Sequence, residues 1–273
     1  MLNQANLIDK ALSEVESMVK ASGNKNDLTY FMYHKKRFRV MAATVTSMCK
    51  EGGTILDIGS HYQHSSVLLT LLGYKVASMD VGEFLAMPLI QARIQQHGIT
   101  AIQENDLEKL TSLSDTKEAY DLILFTEILE HITFNPIAFW QRIHEVIKDQ
   151  GYIYVTTPNS LTLYNIFRTI ANLLTLRGIG IGVNSILSSV TYGHHWKEYS
   201  ASEIRHYFTK LSDGFAVSIK KFQYQHHPPQ NRIDTIRVLL LRIGNGIPFF
   251  KEAIEAVIQV DKSKPWKMNA PEY

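Results

Sequence analysis

The sequence predicts an α/β fold built on a doubly wound, mostly parallel sheet. Short apolar runs typical of strands, TILDIG, KVASMD, TAIQEN, YDLILF and GYIYVTT, alternate with segments of helical periodicity. Because parallel strands need a crossover between them, this alternation favours a parallel sheet covered by helices on both faces. Two later runs, FAVSIKKF and TIRVLLLRI, are separated by a polar loop and no helix. They predict an antiparallel hairpin at the C-terminal edge of the sheet.

Two amphipathic helices are expected before the first strand, over residues 7–19 and about 30–48. The basic run HKKRFR in the second helix is typical of a solvated helix face, and the alternative is a contact to an anionic substrate or carboxylate. Between the last two parallel strands, a further helix is predicted to open on Asn135 as the N-cap, with Pro136 in its first turn.

One segment stands outside the alternation. Residues 159–192 are strongly apolar but are interrupted by Arg168, Arg177 and spaced glycines, which disfavours a bilayer span. We expect a helical insertion that packs over the carboxyl edge of the sheet, and that contacts a lipid or lipid-linked substrate in the alternative. The predicted organisation is N-terminal helices or a lid over 1–49, a main domain over 50–245, and a C-terminal helix and tail over 246–273.

Composition narrows the class of protein. The chain of 273 residues has 28 basic and 26 acidic residues, so its net charge of +2 gives no reason to expect a nucleic-acid partner. The single cysteine, Cys49, excludes an intramolecular disulfide framework and favours a reducing compartment. The N-terminus has no signal-like apolar core and no segment indicates a membrane span, so we expect a cytoplasmic location.

The turn ILDIGSHYQHSS suggests which ligand the sheet binds. Asp57–Ser60 and Asp80 end the first two strands, at the edge where doubly wound sheets bind ligands, and an acid in the position of Asp80 is suited to ribose hydroxyls. A dinucleotide turn needs two more glycines to admit a pyrophosphate, and here those positions hold His61 and Gln63. S-adenosylmethionine, which has no phosphate, remains compatible with such a turn.

Six stretches in order, ILDIGS, VASMDV, ENDLE, YDLILFTEILEHI, GYIYVTTPNS and HHWKEYSASEI, carry a family resemblance. Over roughly residues 50 to 220 the chain resembles the class I S-adenosylmethionine-dependent methyltransferases, whose fold is Rossmann-like, in the group that modifies small molecules and glycans. It departs from the family pattern at His61 and Gln63, where glycines are common.

The resemblance implies a cofactor site for S-adenosylmethionine, with S-adenosylhomocysteine as the product. Gly59 and Ser60 would line the methionine arm, Asp80 would hold the ribose, and Asp106 would accept from the adenine amino group beside the Leu107 backbone. The full set of implied cofactor residues is Asp57, Gly59, Ser60, His61, Asp80, Val81, Asp106, Leu107, Thr126, Glu127, Tyr33 and Arg37. Asp57 would serve the turn itself, Asp106 could instead start a helix, and Tyr33 to Arg37 would belong to the N-terminal lid.

A hydroxyl acceptor needs a proton acceptor, for which histidine is the readiest side chain near neutral pH. His131, His194 and His195 are the candidates, the alternative being that they tie down loops or pack against Trp196 and Tyr199. No compact metal-ligand spacing is evident, so no metal is expected. The predicted activity is methylation of a hydroxyl or amine of a small molecule, with a sugar or glycan-linked acceptor the best guess. The alternatives are a binding or scaffolding module without catalysis and, least favoured, an NAD-dependent oxidoreductase.

Overall fold

The computed structural model describes residues 4–188, 190, 193–224 and 231–271. The ends of the predicted insertion (191, 192) and of the tail (272, 273), and residues 1–3, lie outside this range. Seven strands form one sheet in the order β3-β2-β1-β4-β5-β7-β6. The strands are β1 Thr54–Ile58, β2 Lys75–Asp80, β3 Thr100–Gln103, β4 Tyr120–Thr126, β5 Ile147–Pro158, β6 Phe215–Phe222 and β7 Ala253–Val260.

Helices cover both faces of this sheet. They are α1 Gln4–Ala21, α2 Lys25–Met48, α3 His64–Leu71, α4 Gly82–Leu85, α5 Pro88–His97, α6 Ile137–Val146, α7 Leu163–Leu174, α8 Val183–Ser188, α9 Ala201–Leu211 and α10 Arg232–Asn245. Residues of α6 and α9 pack with one face of the strands, as Trp140 and Phe208 do, and residues of α1, α2, α3 and α5 pack with the other. The predicted doubly wound, mostly parallel sheet is confirmed.

The antiparallel edge is confirmed, but its second strand was wrongly predicted. β6 pairs with β7 over Phe215↔Val260 to Phe222↔Ala253, and β7 also pairs antiparallel with β5. The run TIRVLLLRI lies in helix α10, because Asn231 accepts the Asp234 amide as N-cap and Val238 and Leu241 are buried three residues apart. The predicted C-terminal helix after residue 245 is likewise wrong, since a strand occupies that region.

The predicted insertion is helical. α7 begins at an N-cap, Thr162, whose hydroxyl accepts the Asn165 amide, and it packs against α10. Its outward face exposes apolar side chains, among them Phe167 at 63% and Leu174 at 81%. Within the described residues, none of the helices combines the length and the apolar character needed to cross a bilayer.

Two smaller predictions need adjustment. α6 begins at Ile137 with Pro136 as the N-cap, and Asn135 supports it one residue earlier by accepting the Ile137 amide. The basic run of α2 is divided: Arg39 pairs with Asp9 of α1 on the surface, whereas Arg37 is buried. Arg39 therefore fits the solvated-face interpretation, and both arginines contact a carboxylate of the protein itself, Asp9 for Arg39 and Glu127 for Arg37.

A buried ionic cluster, which we call the Asp27 cluster, attaches α2 to the sheet's carboxyl edge. The wholly buried Asp27 carboxylate accepts two hydrogen bonds from Arg93 of α5, at 3.1 and 2.6 Å, and one from His64 Nε2 of α3, at 2.7 Å. Arg93 also donates to the Tyr62 carbonyl at 2.7 Å. Burial lowers the pKa of His64, so it is a neutral donor and Arg93 is the countercharge. Three helices and the β1–α3 turn therefore meet at one carboxylate.

Replacement of Asp27 by alanine is expected to lower the free energy of unfolding by about 3–5 kcal/mol, because Arg93 would stay buried without its partner. Asp9→Ala is the matched control, since it breaks an Asp–Arg pair with both side chains 51% exposed, and an exposed pair contributes about 0–1 kcal/mol. Urea titrations of both variants and the unsubstituted protein measure the difference. Equal losses in the two variants would contradict the assigned role of the cluster.

The Asp27 cluster also predicts a pH dependence. Burial opposes the charge, but hydrogen bonds from His64 and Arg93 outweigh it and lower the pKa of Asp27 to about 2. An unfolded aspartate titrates near pH ~3.9, so its ionisation stabilises the fold above that pH and the contribution disappears as pH falls towards 2. The stability gap between the unsubstituted protein and Asp27→Ala should therefore narrow by about 2–3 kcal/mol between pH 6 and pH 2. Urea titrations across this range would show an unchanged gap if the assignment is wrong.

Candidate active site

Gly59 follows β1 directly and has a backbone conformation that suits glycine. Its φ is +69°, and a Cβ there would lie 2.5 Å from Ile128 Cδ1, in the segment after β4. Its amide donates to the Met79 carbonyl at 2.8 Å, which joins the turn to β2. The β1–α3 turn thus lies directly beside the chain that leaves the fourth strand.

His61 and Gln63 stabilise this turn at the two positions where the family pattern commonly has glycines. Both have positive φ, 47° and 65°, a conformation that costs non-glycine residues energy. Gln63 is buried and its Nε2 donates to Ser60 Oγ at 2.7 Å, while the His61 amide donates to Asp80 Oδ2 at 2.6 Å. The His61 ring packs 4.5 Å from the Tyr30 ring of α2. Contacts made by the side chains therefore hold a turn that glycines would otherwise relax.

Asp57 serves the local structure. Its buried Oδ2 accepts from the hydroxyls of Ser65 and Ser66, at 2.5 and 2.7 Å, so it supports the first turn of α3 and not the backbone amides of its own turn. Burial raises the pKa of Asp57 to about 6, despite these two hydrogen bonds.

Asp80 is fixed at the end of β2. Its Oδ2 accepts from the His61 amide and its Oδ1 accepts from the Val81 amide at 2.8 Å, while Val81 is 38% exposed. Burial raises the pKa of Asp80 against these two bonds. Each oxygen keeps a further lone pair, so the carboxylate is oriented in advance at the ligand edge.

Asp106 lies further out, on a turn after β3. Its side chain is 43% exposed and pairs with Lys109 at 2.7 Å, and its carbonyl accepts from the Lys109 and Leu110 amides without starting a regular helix. Glu104, which is buried, holds the turn by accepting the Asp106 amide at 2.9 Å. Leu107 is half-buried against the core.

Glu127 follows Thr126 at the end of β4, and α2 brings a cation to it. Glu127 has a φ of 57°, its Oε2 accepts from the Tyr224 hydroxyl at 2.6 Å, and its Oε1 lies 3.8 Å from Arg37 Nη1. Although burial opposes it, the electrostatic influence of Tyr30, Glu127 and Tyr224 raises the pKa of Arg37, which stays charged. The predicted lid helix therefore contacts the end of the fourth strand.

Tyr33 lies one helical turn before Arg37 and faces the same region. Its ring stacks on that of Tyr224, with centroids 5.3 Å apart. Burial raises the pKa of Tyr33, so its phenol remains neutral and able to donate a hydrogen bond.

Glu130, His131 and His195 form a second group of polar side chains, the histidine cluster. The His131 and His195 rings meet edge to face at 4.9 Å, and His131 Nε2 lies 3.9 Å from Glu130 Oε1. Glu130 Oε2 accepts from the Thr157 hydroxyl at 2.9 Å. Burial, then the charge of Glu127, raises the pKa of Glu130 to about 8.

The hydrogen bonds of the two histidines set their tautomers. His131 Nδ1 lies 3.0 Å from the His194 carbonyl, which only accepts, so that nitrogen carries the proton and Nε2 keeps its lone pair. His195 Nδ1 is 3.3 Å from Glu198 Oε1, and Glu198 Oε2 accepts from Asn165 of α7. Burial lowers the pKa of His131, whereas the hydrogen bond to Glu198 raises the pKa of His195.

Of the three candidate histidines, the structure brings His131 and His195 together and sets His194 apart. The His194 ring is buried and packs against Trp196 at 5.3 Å, while its carbonyl orients His131. The packing alternative therefore describes His194, and not the other two.

A cavity of about 660 Å³ is lined both by Glu127, which follows β4, and by the histidine cluster. It is lined by Tyr30, Tyr33, His34, Glu127, Glu130, His131, Pro158, Asn159, Thr162, Tyr164, Asn165, Arg168, His195, Glu198, Tyr224, Arg237, Leu241 and Glu252. Two residues of this lining also contact predicted cofactor residues: Tyr30 contacts His61 of the turn, and Glu127 contacts Arg37 of the lid helix. The cavity therefore adjoins the predicted cofactor edge.

Several cavity residues were not singled out from the sequence. Glu130 lies within the quoted stretch EILEHI, and an acid between apolar residues at a strand end was the available signal. Glu198 lies three residues after its partner His195, within the quoted stretch HHWKEYSASEI, so a local signal for it was available. Tyr224 carries no local signal, because its partner Glu127 is 97 residues away. The ligand atoms of Glu130, His131 and His195 all lie within 4.8 Å of one another. No local spacing in the sequence indicates this grouping, because His195 is far from the other two residues in the chain.

Comparison with known proteins identifies the fold and the family. A family model described as "Methyltransferase domain" matches residues 33–217. Among solved structures, the YcgJ protein of Bacillus subtilis aligns with a TM-score of 0.54 at 15% identity, covering 84% of this chain and 100% of that one. No curated protein sequence gives a significant match.

Two further structures of known ligand state share the fold. Magnesium protoporphyrin IX methyltransferase of Synechocystis PCC 6803, with bound SAH, has a TM-score of 0.54 at 14% identity and covers 86% of this chain and 88% of that one. Phosphoethanolamine N-methyltransferase 2 of Haemonchus contortus, in complex with S-adenosyl-L-methionine, has a TM-score of 0.51 at 15% identity, covering 83% of this chain and 52% of that one. The family match spans more than half of the chain, and the chain belongs to the class I S-adenosylmethionine-dependent methyltransferases.

Proposed function

We propose that this protein transfers a methyl group from S-adenosylmethionine to a hydroxyl or amine of a small molecule bound in the 660 Å³ cavity. The observation that carries the proposal is the position of His131 and His195, which line a cavity that adjoins the end of β4, with the His131 Nδ1 proton directed to the His194 carbonyl so that Nε2 keeps its lone pair. This position supports a site in which the group that activates the acceptor lies beside the proposed cofactor edge.

The cofactor is proposed to lie along the carboxyl ends of β1, β2 and β4. Gly59 and Ser60 would admit the methionine arm, Asp80 would accept from the ribose hydroxyls, and Glu127 would face the amino group. Asp106 and the Leu107 backbone would lie near adenine. The remaining proposed cofactor residues are Thr126, Val81, Tyr33 and Arg37. Asp57 and His61 would act indirectly, since their contacts maintain the turn.

Methyl transfer is a single displacement at carbon, and its rate depends on how the acceptor and the methyl group are positioned. The acceptor oxygen forms a bond to the methyl carbon, the carbon–sulfur bond breaks, and its electron pair stays on sulfur, which converts the sulfonium to a neutral thioether. The hydroxyl proton passes to water in the cavity, and His131 and His195 are the residues proposed to activate the hydroxyl for its loss. Alignment of oxygen, carbon and sulfur supplies much of the remaining acceleration.

The cavity lining supports a polar acceptor. Tyrosine, asparagine, glutamate and arginine side chains offer both donors and acceptors, which suits a hydroxyl-rich molecule such as a sugar or glycan. The phosphoethanolamine and magnesium protoporphyrin IX methyltransferases share this fold but differ in acceptor, so the fold does not choose among acceptors. The exposed apolar face of α7, the helix that contributes Tyr164 and Arg168 to the lining, supports a lipid-linked form of such an acceptor. The single free cysteine supports the cytoplasmic setting expected from the sequence.

Asp80→Ala is expected to weaken binding of S-adenosylhomocysteine by at least about tenfold, because hydrogen bonds to a carboxylate contribute about 1.5–3 kcal/mol. Calorimetric titration with S-adenosylmethionine and S-adenosylhomocysteine measures the change. Glu83→Ala is the control, an exposed acid three residues later. Unchanged binding in Asp80→Ala would remove the proposed ribose site, and no binding by the unsubstituted protein would exclude the proposed function.

His131→Ala and His195→Ala are expected to slow methyl transfer by about 10²–10⁴-fold while cofactor binding is retained. The protein would be incubated with labelled S-adenosylmethionine and fractionated extract of its own cells, and the labelled product identified by mass spectrometry. His206→Ala, an exposed histidine of α9 outside the cavity, should leave the rate unchanged. Cofactor binding without any labelled product would favour the binding or scaffolding module instead.

A further inference from the structure

We propose that the histidine cluster, Glu130, His131 and His195, binds one divalent metal ion in the wall of the cavity. This inference rests on the proposed function, because the ion would act on the acceptor in the same space. The three ligand atoms lie within 4.8 Å of one another, with 3.9 Å between Glu130 Oε1 and His131 Nε2. Ligands about 2.0–2.2 Å from a tetrahedral ion lie about 3.3–3.6 Å apart, so side-chain shifts of up to about 1 Å would bring the three atoms to a common ion.

The outer hydrogen bonds of both histidines are those of metal ligands. His131 Nδ1 donates to the His194 carbonyl and His195 Nδ1 donates to the Glu198 carboxylate. Histidines that bind metals almost always donate their second ring nitrogen to a carbonyl or carboxylate in this way, which fixes the ring and leaves Nε2 for the ion. Glu198 is in turn held by Asn165, so the support extends to α7.

The Glu130 carboxyl group is buried without a full set of hydrogen-bond partners. It is 1% exposed, its Oε1 has no hydrogen-bond partner, and among the described residues its one ion-pair neighbour is His131. A carboxylate removed from water needs a countercharge or a full set of hydrogen bonds. A cation between Oε1 and the two Nε2 atoms would provide that charge.

The donor set indicates the kind of ion and its effect. Two imidazole nitrogens with one carboxylate oxygen favour a first-row transition ion over magnesium or calcium, which prefer oxygen ligands throughout. The three residues line the cavity, so the remaining coordination positions face the acceptor. An acceptor hydroxyl bound there would have a lowered pKa and would release its proton to water in the cavity. His131 and His195 would then activate the hydroxyl through the ion.

The test uses Mn²⁺ alone, without acceptor. Free Mn²⁺ gives a six-line electron paramagnetic resonance signal that is lost on binding, so a titration counts the ions bound per chain. We expect one ion per chain, and loss of at least about a hundredfold in affinity in Glu130→Gln and His195→Ala. Glu198→Gln, which alters the partner of a ligand, should weaken binding by about 10–100-fold. His206→Ala should bind as the unsubstituted protein does.

Titration with S-adenosylhomocysteine accompanies each variant and serves as the test of folding. If the unsubstituted protein binds S-adenosylhomocysteine but not Mn²⁺, or if Mn²⁺ binding survives in Glu130→Gln and His195→Ala, the metal site is excluded while the proposed function stands. If Mn²⁺ binds as expected and S-adenosylhomocysteine does not, the ion site stands and the proposed function fails. A Glu130→Gln variant that binds neither would be replaced by Glu198→Gln, whose normal Mn²⁺ affinity would also overturn the site.

Discussion

The buried Asp27 carboxylate is the constraint on which the ligand edge depends. Arg93, His64 and, through Arg93, the Tyr62 carbonyl are all held by it. An ionised aspartate removed from water is tolerated only where such donors surround it, so α2 has little freedom to lie elsewhere. With α2 fixed, Tyr30 reaches the His61 ring and Arg37 reaches Glu127. Buried contacts thus hold the helix expected to act as a lid against the site.

The same arrangement explains how a ligand turn works without its usual glycines. His61 and Gln63 occupy left-handed backbone conformations, and each is compensated by a hydrogen bond, to Asp80 and to Ser60 respectively. In a glycine-rich turn the backbone itself is unstrained and the ligand can approach closely. In this turn, side chains occupy the space that glycines would leave open, and their contacts make the turn rigid. The amide of His61, at a position where glycine is common, holds the carboxylate of Asp80 in place.

Much of the fold follows from local patterns in the sequence, and the exceptions have physical causes. The parallel strands and α9, with its Ser200–Glu203 capping box, are predictable because period and caps are local. The run in α10 is apolar enough to suggest a strand, and its cap at Asn231 and the spacing of Val238 and Leu241 decide for a helix. His131 and His195 were predictable from chemistry, and each has a glutamate close to it in sequence. That the two segments lie side by side could not be predicted, because they are 63 residues apart in the chain.

The position of β7 has a consequence for the way the chain is made. Ala253–Val260 lies between β5 and β6 in the sheet although it follows both in the sequence. While a ribosome builds the chain, β6 emerges with no neighbour to pair with, and β5 presents an unfilled edge until some 30 more residues have been added, by the spacing of β6 and β7. Unpaired strand edges are the surfaces through which nascent chains associate wrongly. Strand β6, FAVSIKKF, carries two lysines, Lys220 and Lys221. Their charge discourages wrong pairing of β6 before β7 is available.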